Sequence, residues 1–195
     1  MLQGVELRRR VAFARWCSDV GSPPVFTVLT IALIAGAASH TLSGAIAWAS
    51  ALSLIVAGLP LAYVLWLVRC GVVTDIHLPL RRERVGPIIA SLLAALGAML
   101  LGYKLAAPLL IQRLLSVYAA QALILGVITL WWKISFHAAA VGFFVGVALA
   151  LGGTTLAPLL GLVPLVGWAR LTLHRHTPRQ VIAGAILGLL TAALL

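Results

Sequence analysis

Lys133-Ile134-Ser135-Phe136-His137 is a short polar point between two apolar runs, Leu109 to Trp132 before it and Ala138 to Leu151 after it. Both runs are continuously apolar rather than alternating, the pattern of membrane helices and not of barrel strands. The earlier run is long enough to cross ~30 Å of hydrocarbon. The same succession of polar point and apolar run extends along the chain. It predicts further spans near Val25 to Ala38, Ala45 to Val68 and Ile88 to Leu105. A short span broken by Pro158 and Pro164 reaches Trp168, and a last one covers Val181 to Leu195. The expectation is an all-α, polytopic transmembrane helix bundle of about six to seven spans. The spans near 25–38, 138–151 and 156–168 are short, so one pair can be re-entrant.

Composition agrees. Apolar residues make up 63% of the 195 positions, charged residues 9%, and the formal charge is +10. Residues 1–23 read as a basic interfacial helix (Arg8, Arg9, Arg10 and Arg15, with Phe13 and Trp16), ended by Ser22-Pro23-Pro24. Residues 24–195 read as one transmembrane domain. The first apolar run starts too late for a cleaved signal peptide and is followed at once by another. Of the 14 Lys and Arg residues, all but Lys104 and Arg113 fall at Arg8 to Arg15, Arg69 to Arg84, Lys133, and Arg170 to Arg179. Two spans separate each cluster from the next, so the clusters share one face. By the positive-inside rule that face is cytoplasmic, and the membrane is the cell (inner) membrane. Charges beside apolar spans suit anionic lipid headgroups or a phosphate substrate, not nucleic acid. With only Glu6, Asp19, Asp75 and Glu83 as acids, a carboxylate-held Mg²⁺ or Ca²⁺ is not expected. Cys17 and Cys70 are isolated, and His174 and His176 have no acid or Cys nearby, so no metal or other cofactor is expected.

Arg and His together at one end of a bundle make a place for an anion. Three segments carry the pattern. His77 stands seven residues before Arg84, Ser135 two before His137, and Arg170 six before His176, with Gln180 four residues further on. Gly142-x-x-x-Gly146 and Gly184-x-x-x-Gly188 follow the second and third segments. Small residues at that spacing let helices approach closely, though a Gly-rich chain also produces such pairs by chance.

The ordered set resembles the type 2 phosphatidic acid phosphatase (PAP2) superfamily, which includes lipid phosphatases and vanadium haloperoxidases. Its signatures are Lys-x6-Arg-Pro, Pro-Ser-Gly-His and Ser-Arg-x5-His-x3-Asp. The resemblance runs from about residue 70 to 190, with Arg84, Ser135, His137, Arg170 and His176 at the matched positions. The chain departs at His77 for Lys, Val85 for Pro, Ile134 and Phe136 for Pro and Gly, Ala169 for Ser, and Gln180 for Asp.

The resemblance implies a PAP2-like core and a phosphatase acting on a lipid phosphate or diphosphate. Polyprenyl diphosphate, phosphatidate and phosphatidylglycerophosphate are all reasonable substrates. His176 would attack phosphorus to give a phosphohistidine, and His137 would protonate the departing oxygen. His77, Arg84, Ser135 and Arg170 would bind the phosphate, and Gln180 would orient His176. Arg forks suit phosphate because they stay charged and bind in pairs. Gln180 brings no charge and its amide can flip, so a backbone carbonyl or Asp75 also comes into consideration for its role. Three alternatives stay open. One is a catalytically degenerate lipid-phosphate-binding or structural relative, and another is a transferase using the same intermediate. In the third, His137 and His176 are ordinary interfacial residues and Arg81, Arg82 and Arg84 ordinary anchors.

Overall fold

The structure is a computed structural model describing residues 2–76, 78 and 80–195. Every regular element among the described residues is helical. In chain order these are α1 (Leu2–Val20), α2 (Pro23–Ala38), α3 (Leu42–Ser53), α4 (Leu59–Arg69), α5 (Val85–Lys104), α6 (Leu109–Trp131), α7 (Phe136–Gly152), α8 (Leu162–Thr172) and α9 (Pro178–Ala192). Among the described residues, four helical stretches are long and apolar enough to cross a membrane: Leu42–Arg69, Arg82–Lys104, Leu109–Trp131 and Phe136–Thr172. A fifth is added if Val5–Val20 and Pro23–Ala38 count as one broken span. Their outer surfaces require hydrocarbon: Leu42, Ile46, Leu54, Leu93, Leu100 and Leu109 are all more than half exposed. So many exposed large apolar side chains on long apolar helices suit lipid rather than water. The chain is a membrane protein on this ground.

The expected spans and the observed helices differ in two places. The segment read as Ala45 to Val68 is one helical run with a π turn at Leu54–Gly58, just before Pro60. The extra residue of a π turn relieves the missing N–H and the ring clash of that proline. The expected turn at Gly152 to Thr155 is a longer 3₁₀ segment, Gly153–Gly161, with Pro158 inside it. Gly153 ends α7 at φ 58°, ψ −150°, a conformation confined almost entirely to glycine. The chain then returns as α8, which packs against α7. Pro164 sits harmlessly in the first turn of α8, where its missing N–H has no helical partner to lose. The 15-residue α9 is shorter than a full span.

Contacts divide the chain into two compact units that do not follow chain order. The second unit, Thr27–Lys133 with Leu194–Leu195, holds α3 to α6 and most of α2. Its core is built on Ile111, Leu114 and Leu115 of α6, all fully buried. The Tyr118 hydroxyl donates to the Thr27 carbonyl at 3.3 Å and ties α6 to α2.

The first unit, Met1–Phe26 with Ile134–Ala193, holds α1 and α7 to α9. Here the N-terminal segment is part of a packed body. Ala14 and Cys17 of α1 are buried against Ala169 of α8. The Phe13 and Trp168 rings lie 5.8 Å apart, and Arg10 sits 6.0 Å over Trp168. The two glycine pairs lie at the contact between α7 and α9, each glycine against non-glycine residues of the opposite segment. A Cβ on Gly142 would lie 2.6 Å from the Ala185 carbonyl oxygen, and one on Gly188 would collide with the Ala139 carbonyl oxygen. The spacing is therefore a device that brings two backbones into direct contact.

Candidate active site

Arg170 lies in the last turn of α8. The helix closes with two reversed hydrogen bonds. Arg175 N–H donates to the Arg170 carbonyl and His174 N–H to the Leu171 carbonyl, both at 3.0 Å. Between them His174 takes the left-handed conformation at φ 51°. This is the Schellman closure, here built without glycine. It reverses the chain within a few residues and fixes where His176 begins. The six-residue separation of Arg170 and His176 is thus the length of one helix ending and its return.

His176 immediately precedes Thr177, the N-cap of α9, and Pro178 follows at the first helical position. Proline is pre-set for that place. Gln180, three residues beyond the cap, turns its side chain back. Its Oε1 accepts the Thr177 N–H at 3.1 Å and lies 3.1 Å from His176 Nδ1. A backbone N–H can only donate, so the amide atom facing it must be the oxygen. That settles the flip. The same oxygen can only accept, so Nδ1 carries a proton, and the neutral ring held this way has its lone pair on Nε2. An uncharged side chain thereby selects the tautomer a nucleophilic histidine needs.

Ser135 caps α7. Its Oγ accepts the Ala138 N–H at 3.4 Å, while its own N–H donates to the Gln180 carbonyl at 3.3 Å. The α7 start and the α9 start are therefore joined backbone to backbone. Gly184 permits this, because a Cβ there would collide with the Ser135 carbonyl oxygen. His137 is the second residue of α7, and both His137 and His176 are 8% exposed. Buried imidazoles beside a helix N-terminus suit an anion, since the helix dipole favours negative charge there.

Arg170 is 1% exposed, and its Nη1 donates to Ser18 Oγ at 2.6 Å. Ser18 belongs to α1 and is fully buried. Nothing in the local sequence marks it. A serine on a basic N-terminal helix reads as surface, and only the packing of α1 on α8 brings it to Arg170.

Of the residues expected at the site, Ser135, His137, Arg170, His176 and Gln180 belong to the first unit. Arg84 belongs to the second. It is buried there, with Nε donating to the Leu78 carbonyl at 3.0 Å, and Leu78 takes a left-handed conformation at φ 47°. The neighbouring Glu83 holds this loop. Its Oε1 accepts from Thr74 N–H and Oγ–H at 3.3 and 3.2 Å, and its Oε2 from Leu80 N–H at 3.3 Å. His77 lies outside the described residues. Among the described residues no group of three His, Cys, Asp or Glu side chains comes close enough to hold a metal ion.

Residues 117–195 match the family model of the PAP2 superfamily. The matched stretch contains the five candidate residues of the first unit and excludes His77 and Arg84. No curated protein and no solved structure matches the chain.

Proposed function

We propose, on the premise that residues 117–195 form a PAP2 superfamily domain of phosphatase type, that the chain hydrolyses a lipid phosphate or diphosphate without a metal. His176 Nε2 attacks phosphorus, and the bond to the leaving oxygen breaks as His137 protonates that oxygen. A water then attacks the phosphohistidine, His137 takes its proton, and inorganic phosphate leaves with His176 restored. Arg170 holds the phosphoryl oxygens as charge grows on them, with the Ser135 hydroxyl as a further binding group. Gln180 keeps His176 in the attacking tautomer. The apolar surface of the helices suits a substrate whose tail stays in the bilayer while its phosphate meets the Arg and His side chains.

One observation supports this reading above the others: the Gln180 oxygen, held by the Thr177 N–H, faces His176 Nδ1. The neutral amide at the same place favours a second reading, a relative that binds lipid phosphate and does not turn it over. One experiment separates the two. The detergent-purified chain is incubated in chelator with dispersed polyprenyl diphosphate, phosphatidate and phosphatidylglycerophosphate, and released phosphate is measured. Release by the wild type, inhibited by vanadate and abolished in His176→Ala, is expected. Binding without release selects the second reading, and unchanged release by His176→Ala refutes the assignment of the nucleophile.

A further inference from the structure

We infer that Ser18, on α1, is a positioning residue for Arg170, so that the N-terminal helix forms part of the phosphate site. The inference rests on the phosphatase reading above. Ser18 and Arg170 are 152 residues apart in the chain, and both are buried. Their 2.6 Å hydrogen bond has the short length of a charge-assisted contact. The Schellman closure of α8 fixes the Arg170 backbone but does not by itself set the rotamer of the long side chain. Holding such a side chain in one rotamer forfeits about 2 kcal/mol of rotamer entropy. Ser18 supplies a contact that favours one orientation of the guanidinium plane.

The packing explains why the hydroxyl comes from α1. Ala169, beside Arg170, carries no hydroxyl and is buried against Ala14 and Cys17. Ala14 and Ser18 are one turn apart on the same face of α1. Small side chains at 14 and 169 clamp the two helices closely enough for the next residue of each pair, Ser18 and Arg170, to meet. A serine hydroxyl that accepts from the guanidinium still has its own proton to donate.

The test is steady-state phosphate release from a dispersed lipid phosphate in chelator, with wild type, Ser18→Ala, Ser18→Thr and His176→Ala compared. Ser18→Ala is expected to lower kcat/KM about 10- to 100-fold, the range of one hydrogen bond to a charged group. The loss should fall mainly on kcat, because phosphoryl charge is greatest in the transition state. Ser18→Thr, which keeps the hydroxyl, should stay within about threefold of wild type. If Ser18→Ala does not survive purification, Ser18→Cys, close in volume but a weak acceptor, carries the same expectation. A variant with a lowered Tm and wild-type kcat and KM overturns the inference while leaving the phosphatase reading intact. Equal losses in the Ala and Thr variants overturn it too. Absence of release by the wild type overturns both.

Discussion

If the chain releases phosphate as proposed, replacing Gln180 by Glu should speed that release, and the structure sets the size of the gain. The Gln180 oxygen already accepts from Thr177 N–H and from His176 Nδ1, each at 3.1 Å. A glutamate of the same length can keep both bonds and add a charge. A neutral hydrogen bond contributes about 0.5–1.5 kcal/mol and one to a charged group about 1.5–3. The difference, ~1–1.5 kcal/mol, acts most strongly once the ring becomes cationic, in the transition state and the phosphohistidine. At about 1.36 kcal/mol per tenfold, kcat should rise roughly 5- to 10-fold. The carboxylate also sits in the first turn of α9, where the helix dipole favours negative charge by about 0.3–1 kcal/mol. Gln180→Leu removes both bonds and leaves the buried Nδ1 proton unsatisfied, which costs about 1–3 kcal/mol. Its kcat should fall roughly 5- to 150-fold. Thr177 is exposed, so water can replace its lost acceptor and the stability loss should stay near ~1 kcal/mol. The assay is initial-rate phosphate release from a dispersed lipid phosphate, with kcat and KM resolved for all three proteins. Equal kcat in wild type, Glu and Leu variants would refute the role given to Gln180.

Gly184→Ala should drive α9 away from the Ser135 carbonyl, lowering stability by about 2–3 kcal/mol and reducing phosphate release with it; thermal unfolding and kinetics on one preparation check this, and an unchanged Tm would contradict the close approach. His174→Gly removes a left-handed strain of about 1–2 kcal/mol and gives back part of it through the unfolded chain, for a net gain of up to about 1 kcal/mol. Its Tm should rise, and phosphate release should stay within about twofold of wild type; a lower Tm would count against the Schellman closure. Glu83→Ala removes the acceptor shared by Thr74 and Leu80, and amide hydrogen exchange at those two N–H groups should speed up about 10-fold or more, while protection of the α6 core stays as it was.

Much of the candidate site could be read directly from residue spacing because its geometry is local. Arg170 to Gln180 is one helix ending, one Schellman closure and one helix start, and each step is a backbone feature a few residues long. Ser135 and His137 follow the same logic, as cap and second residue of α7. The apolar runs were equally legible, since hydrocarbon thickness demands a length that composition displays. The boundaries were less so. Pro60 is absorbed by a π turn, and the connection after α7 is a longer 3₁₀ segment, because the energies separating such turns are small beside those of packing.

The sequence by itself determined a membrane-embedded helical chain and the local order of Ser, His, Arg and His, because burial in lipid and backbone hydrogen bonding act over a turn or a span. Only the tertiary structure decided that Gly184 rests on Ser135 and that α1 delivers Ser18 to Arg170. Each of those contacts depends on which side chains come together when separate segments pack, and residue order carries no record of that meeting.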